Sequence, residues 1–309
     1  MTAQSLPAMA DGLNFRIGAR TVFTLDKALV RVPLTLDQAL DGRLPVLPPL
    51  PADADGYSVT SLPVERAGAL AWAAGGMIPR VRQRYTRYYG DLSGGFDAWW
   101  GQLSANTRSQ TKRKAKKLAS ASGGQLRIER YRRADELAAF HAIARGVSAT
   151  TYQERLLDCG LPEDAAFLRD MAARGASGTA RGWLLYVGDR PAAYLYCPID
   201  RGTVIYEYVG HDPAFADLSP GAVLHVEAMR DLFEEGGLKR FDFTEGEGQH
   251  KRALSTGGIA ACDLLLLAPT WGNRAAAAGL AGFDHGVALA KRAVGRLGLE
   301  DIARRVRRG

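Results

Sequence analysis

Cysteine is scarce in this chain. Only Cys159, Cys197 and Cys262 occur in 309 residues. They lie far apart, show no metal-ligand spacing and cannot form an even disulfide framework. Such usage suits a reducing compartment and reads as structural thiols. Long apolar runs are missing as well, and without about 18 uninterrupted apolar residues no membrane-spanning helix is expected. The opening MTAQSLPAMADGLNF has no basic stretch followed by an apolar one, so no secretory leader is expected either. Three chemical signatures are lacking: the Gly-rich dinucleotide fingerprint, the Walker sequence and the Gly-x-Ser-x-Gly elbow. There is no internal repeat at the spacing of a solenoid or propeller. The expected location is the cytoplasm.

What is present is an ordinary globular composition with an uneven basic charge. Apolar residues make up 47% and charged residues 24%, enough for a sizeable core. The formal net charge is +7. Arg108, Lys112, Arg113, Lys114, Lys116 and Lys117 follow one another with no intervening acid. Lys291, Arg292, Arg296, Arg304, Arg305, Arg307 and Arg308 crowd the C-terminal end against Glu300 and Asp301. Clusters of this kind favour an anionic partner, such as a phosphorylated cofactor, a nucleic acid or an anionic lipid surface. The alternative is two solvated helix faces.

Along the chain, residues 15–36 alternate as strand or hairpin. Residues 44–56 (LPVLPPLPADADG) are too rich in proline for anything but an extended loop. YSVTSLPV and VRQRYTRYYGDL read as strands. Residues 96–120 predict one helix capped by Asp97 and anchored by Trp99, Leu103 and Leu118. A strand at 125–131 and helices at 135–149 and 162–176 follow. Three strands then come in succession, turned by Gly188-Asp189 and by Asp200-Arg201-Gly202. A helix at 218–237, a short strand within 238–248 and an apolar strand at 259–269 complete the core. The chain ends in an Ala-rich helix that becomes basic and amphipathic. We divide it into an N-terminal region (1–95), a catalytic domain (96–270) and a basic tail (271–309). The order β-α-α-β-β-β-α-β-β from residue 125 mixes hairpins with helices and excludes a regular βαβ array. It predicts a mixed α/β fold: a mostly antiparallel sheet flanked by helices, with the topology of an acyl-CoA N-acyltransferase core.

Four stretches sharpen this reading. They are the Trp-containing basic segment 99–118, SATTYQER (148–155), YEYVGHDPAFADLSPGAVL (206–224) and FDFTEGEGQHKRAL (241–254). In this order and spacing, residues 96–268 resemble the CelD/BcsL-like acetyltransferases of the GNAT superfamily, relatives of the FemAB aminoacyl transferases. The last motif of that family ends in a Tyr-Lys pair, whereas here it is His250-Lys251. The resemblance implies acetyl-CoA or a longer acyl-CoA as co-substrate, an amine acceptor, no metal, and Thr151 and Tyr152 near the acceptor. FemAB-like relatives pair two such domains, which implies that residues 1–95 are a reduced second copy.

The chemistry asks for a phosphate site, a polarised thioester carbonyl and a proton acceptor. Leu218, Ser219, Pro220, Gly221 and Ala222 open a helix directly after a strand. Unpaired amides and the helix dipole favour an anion there, proline removes a donor that is orphaned anyway, and glycine permits close approach. The alternative is a plain helix start with Ser219 as its cap. In TVIYEYVGHD, strict alternation sets Val204, Tyr206 and Tyr208 against Ile205, Glu207 and Val209. A carboxylate on an apolar strand face is costly unless paired or functional, so Glu207 is the first candidate base, a salt-bridged edge carboxylate being the alternative. Asp242, Glu245 and Glu247 form an expected acidic mouth, with Tyr206 and Glu245 beside the acceptor. His250 and Lys251 orient that cluster or contact phosphate; exposed turn residues are the alternative. Amides of 206–210 would hold the oxyanion. His141, among apolar neighbours on a helix, reads as structural.

Four functions remain open on these grounds. One is acetyl transfer to an amino group of an envelope saccharide or similar precursor. Another is long-chain acyl transfer to a sphingoid or amino-lipid amine at the inner membrane surface, with peripheral contact through 290–309. A third is FemAB-like use of aminoacyl-tRNA, with residues 108–117 on its phosphates. The last is a non-catalytic fold that binds nucleic acid or a partner protein.

Overall fold

A computed structural model describes residues 9–10, 12–17, 20–151, 160–246 and 248–296. The chain divides into two compact units, one of residues 1–85 and 260–309, the other of residues 86–259. The divide falls inside two long strands.

The second unit carries the predicted mixed α/β architecture. Its elements in chain order begin with β6 (Ile78–Asp91), α3 (Phe96–Gln102), α4 (Ala105–Ala121), β7 (Arg127–Tyr131), α5 (Ala134–Thr150) and α6 (Ala165–Ala176). They continue with β8 (Ala180–Val187), β9 (Arg190–Asp200), β10 (Thr203–Ile205), β11 (Tyr208–His211), α7 (Pro220–Glu235), β12 (Arg240–Asp242) and α8 (Gln249–Leu254). The sheet order is β6-β12-β10-β9-β8-β7, with β11 continuing beside β9. Its pairings are antiparallel except β10 with β12, which run parallel across the α7 crossover.

Side chains alternate between two cores. On one face Trp183, Leu185, Ala193, Leu195 and Cys197 of β8 and β9 pack with Trp99, Leu103, Leu118 and the apolar stripe of α7. On the other, Leu184, Tyr194 and Tyr196 pack with Leu137, Phe140, Ala144 and Val147 of α5 and Met171 of α6. Period-2 strands offer one face to each layer, which is why β8 and β9 are buried almost throughout. Buried polar groups are tied across the layers. Trp183 Nε1 donates to Asp231 Oδ2 at 2.9 Å, and Trp99 Nε1 donates to the Leu254 carbonyl at 3.1 Å.

Local signals account for most element ends. Arg201 and Gly202 both take positive φ (49° and 85°), as a tight two-residue hairpin requires. Asp164 caps α6 by accepting from the N–H groups of Ala166 and Phe167. The single helix expected over 96–120 is two. Leu103 leaves helical geometry (ψ 148°), and Ser104, accepting from Thr107 N–H at 3.1 Å, starts α4 afresh. Asp97 lies in the first turn of α3, while Gly95 occupies the cap.

The first unit holds β1 (Met9–Ala10), the hairpin of β2 (Leu13–Ile17) and β3 (Arg20–Leu25), β4 (Ala28–Pro33), α1 (Leu36–Asp41), β5 (Gly56–Pro63) and α2 (Ala67–Ala73). The later parts of β13 (Gly257–Leu267) and the helix α9 (Trp271–Arg296) return to it. Its strands run β1-β4-β5-β13. The helices α1 and α2 were not predicted. Thr35 and Gln38 close α1 with a reciprocal capping box that the sequence TLDQ does carry. No helix among the described residues is long and apolar enough to cross a membrane.

Candidate active site

The sheet opens where β10 gives way to β11. Thr203 and Val204 pair with both β9 and β12, and Ile205 with β12. Tyr206 N–H still donates to the Asp242 carbonyl at 2.9 Å, and Thr244 Oγ1 donates to the Tyr206 carbonyl at 3.3 Å. Beyond that point β11 pairs with β9 alone among the described strands, while Phe243 turns to Tyr88 of β6. The strand therefore parts from residues 243–246, and a cleft opens between them.

A bulge marks the closed end of this cleft. Val204 lies opposite Ile199 and Tyr208 opposite Tyr196, so four steps on one strand match three on the other. The cause lies across the sheet. Ile199 N–H is directed to Thr179 in front of β8, so residue 198 should donate toward β10, but residue 198 is proline. The strict alternation expected for 204–209 does not hold. Tyr206 and Val209 pack toward α7, and Tyr208 packs toward Phe167 and Tyr196 on the opposite face.

Glu207 sits on the extra residue. Its side chain reaches solvent, yet the surrounding wall removes part of its hydration and raises the carboxyl above the ordinary glutamate value. Arg174 of α6 opposes that shift and Asp170 adds to it. Arg174 is itself engaged by Asp170 at 2.6 Å. No ion pair to Glu207 is formed among the described residues. A carboxylate with a raised pKa, open to solvent beside the cleft, is suited to accept a proton near neutral pH. On the same wall, Thr151 packs against β11 and its hydroxyl donates to the Ser148 carbonyl at 2.7 Å. The approach needs Gly210, where a Cβ would stand 2.5 Å from Tyr194 Cε1 and 2.9 Å from Thr151 Cγ2.

At the other end of β11 the chain passes through a 3-10 turn, Pro213–Leu218, into α7. Ser219 occupies the cap position in left-handed geometry (φ 53°, ψ 49°) and its side chain makes no capping bond, so it is not the plain cap that the sequence offered as an alternative. Its carbonyl takes the N–H groups of Ala222 and Val223, and the Gly221 N–H has no partner among the described residues. The first turn carries no acid, and a Cβ on Gly221 would meet only His211 Nδ1, at 3.9 Å. Lys117 of α4 donates to the Asp217 carbonyl at 2.9 Å, which brings the basic ladder to this turn. Leu218 is half-buried, Pro220 buried and Ala222 exposed. An amide-lined, acid-free helix start fits an anion.

Asp242 is buried and committed elsewhere. Arg87 grips it through two parallel bonds, Nε to Oδ1 at 3.1 Å and Nη2 to Oδ2 at 2.5 Å, and Thr244 N–H donates to Oδ1 at 2.9 Å. Its carboxylate braces the wall of the cleft rather than joining an open acidic mouth. Lys251 donates to the Glu245 carbonyl at 2.5 Å, and burial holds its ammonium below the ordinary lysine value. It thereby closes the 245–251 turn, with Glu245 exposed. His250, at the exposed start of α8, is lowered by burial and by Lys251.

Tyr206 leads to a group that sequence reading missed. Its ring stacks on His225 of α7, with centroids 4.9 Å apart and planes 10° apart. Burial raises its phenol. Phe241, Phe243 and His250 complete a box around His225. Burial pushes this imidazole down to about 3, assisted by His250 and Lys251, so it is neutral under ordinary conditions. His225 follows Leu224 on an amphipathic helix, and nothing local marks it; Arg87 lies 155 residues from its partner and is equally silent in sequence. Tyr152, Glu247 and Cys159 fall outside the described residues, as does 297–309 of the basic tail. His141 is buried, with Nε2 2.8 Å from the Pro162 carbonyl, in keeping with a structural role. Cys197 and Cys262 are free and buried.

Comparison with known proteins agrees with this architecture. A family profile described as an acetyltransferase (GNAT) domain matches residues 105–252. Among solved structures, the chain is similar to the C-terminal domain of a putative lysylphosphatidylglycerol synthetase from Agrobacterium fabrum. The TM-score is 0.51 at 12% identity, covering 75% of this chain and 73% of that one. FemX follows with a TM-score of 0.47 at 12% identity, covering 70% and 73%. L-PGS from Bacillus licheniformis gives 0.45 at 12% identity, covering 70% and 68%. No curated protein sequence matches. Residues 105–252 thus match a GNAT acetyltransferase domain, and the fold is mixed α/β of the GNAT type.

Proposed function

We propose that this domain transfers an acyl group from a CoA thioester to an amine. The observation that carries the reading is the cleft. A strand edge that pairs with no other described strand runs from a carboxylate with raised pKa, Glu207, to an uncapped helix start at Gly221. The amides of 219–222 would hold the pyrophosphate, and the cleft-facing edge of β11 would line the path of the chain that links it to the thioester. The attacking nitrogen forms the new C–N bond as the C–S bond breaks. Glu207 takes the proton the amine loses, and the departing sulfur leaves as thiolate to be protonated from solvent. Amides of 206–210 stabilise the charge that develops on the carbonyl oxygen. Thr151, Tyr206 and Glu245 would line the acceptor side, and Tyr152 is assigned to it by the family resemblance alone. Lys251 and His250 shape the 245–251 turn. Within the superfamily we place the chain nearest the CelD/BcsL-like acetyltransferases, acting in the cytoplasm on an envelope saccharide or amino-lipid precursor.

One observation favours a second reading, transfer from aminoacyl-tRNA. The exposed basic face of α4 reaches the same helix start through Lys117. Strongly salt-dependent RNA binding would mark it.

The test is calorimetric titration with CoA, acetyl-CoA and palmitoyl-CoA against the wild type and Gly221→Trp. A Cβ at Gly221 makes only an ordinary contact, 3.9 Å from His211 Nδ1, and far-UV circular dichroism checks that the variant is folded. Saturable binding lost in a folded Gly221→Trp supports the assignment. Failure of all three to bind overturns it in favour of the RNA-dependent reading.

A further inference from the structure

The basic face of α4 carries charge that the fold does not neutralise. No acid stands between Asp97 and Glu129. Elsewhere in this unit cations are matched: Arg132 with Asp231, Arg174 with Asp170, Arg181 with Glu235 and Arg190 with Asp212. Lys112, Arg113, Lys114, Lys116 and Lys117 form no ion pair among the described residues. Like charges three and four apart on a helix repel, so the run destabilises α4 unless an anion rests on it. The helix is seated by Leu118 and Ala115 in the core shared with α7, and Arg113 and Lys117 remain exposed. One contact fixes where this face lies. Lys117 Nζ donates to the Asp217 carbonyl at 2.9 Å, in the turn that leads into α7. Its ammonium keeps two further donors. Arg113 stands one helical turn before it on the same side of α4.

We propose that Arg113 and Lys117 hold a second phosphate of the donor, the ribose 3′-phosphate of CoA. The inference rests on the acyl-CoA reading above. With the pyrophosphate on the amides of 219–222, the pantetheine arm leaves along β11 toward Glu207. The nucleotide end is then left at the Pro213–Leu218 turn, where Lys117 stands. A single ribose ring separates the pyrophosphate from the 3′-phosphate, so a cation at this turn meets the second anion once the first is in place. The donor is thereby a free CoA thioester. Phosphopantetheine borne on a carrier protein has one phosphate and no ribose, and would leave these cations unmatched.

The experiment is calorimetric titration of CoA and of 3′-dephospho-CoA into the full-length wild type and the double variant Arg113→Gln/Lys117→Gln. Both side chains are exposed, so the variant should fold, and far-UV circular dichroism checks it. The wild type should bind CoA tighter by about 3–30-fold, the combined worth of two exposed charge contacts. The gap should narrow as salt rises. The double variant should bind CoA only as well as 3′-dephospho-CoA, while its affinity for 3′-dephospho-CoA stays at the wild-type level. A merely structural role for α4 would weaken both ligands alike, and that result overturns the inference. Equal binding of the two ligands by the wild type also overturns it, leaving the acyl-CoA reading intact and α4 to the RNA-dependent one. No binding of either ligand overturns both.

Discussion

Removing Arg87 should unfold the second unit before it impairs any chemistry. Arg87→Met keeps the aliphatic stem and deletes the guanidinium, leaving Asp242 with Thr244 N–H as its remaining hydrogen-bond donor of those described above. Both partners are almost wholly buried, with side chains 8% and 2% exposed. Breaking a buried pair on one side costs about 3–5 kcal/mol, because the remaining charge is left without its partner. For a unit of this size each kcal/mol lowers the Tm by roughly 2–4 °C, so a fall on the order of 6–20 °C is expected. Asp242→Asn should also destabilise, since it strands the guanidinium instead. The double variant should be less destabilised than the sum of the two, with a coupling of about 2 kcal/mol or more, because neither residue then carries an orphaned charge. Urea unfolding followed by tryptophan fluorescence suits the assay, as Trp99 and Trp183 are both buried in this unit. A loss below about 1 kcal/mol for Arg87→Met, with additive single effects, would refute the bracing role and return Asp242 to the candidates for chemistry.

Other outcomes follow from the same geometry. Glu207→Gln should leave the fold intact, since the carboxylate is exposed, and should lower acyl transfer by about 10²–10⁴-fold; wild-type activity should rise with pH through a pKa above the ordinary glutamate value, measurable as a kcat/KM profile. Acid should destabilise the protein through His225. Its folded value near 3 lies below the ordinary 6.5, so between these pH values the unfolded chain binds a proton that the folded chain refuses. Stability therefore falls as pH drops from about 6.5 toward 3, by on the order of 4–5 kcal/mol in all. Denaturant midpoints across that range should show a flatter acid limb for His225→Leu. Gly210→Ala should cost about 1–3 kcal/mol by forcing a methyl into the Tyr194 ring and Thr151, read as a shifted urea midpoint.

What the sequence determined by itself is the set of local decisions. Apolar periodicity made 180–187 and 190–200 strands and gave α7 its buried stripe. The Asp200-Arg201-Gly202 turn and the proline-glycine start after Ser219 set where the chain reverses and where the helix begins, because positive φ and a missing amide are properties of single residues. The mixed α/β topology followed from the order of these elements. Tertiary structure decided what depended on two distant segments meeting. Pro198 disrupts pairing only because residues 205–207 lie across from it, and the bulge that results puts Tyr208 on the face opposite to the one its parity predicts. Asp242 reads as one acid of a cluster until Arg87 is found beside it, and the helix at 96–120 reads as continuous until Ser104 caps its second half. His225 is an unremarkable residue on a helix until Tyr206, Phe241, Phe243 and His250 close around it. Local propensity fixes backbone conformation, whereas the cost of a buried charge or a buried imidazole exists only once the chain has folded.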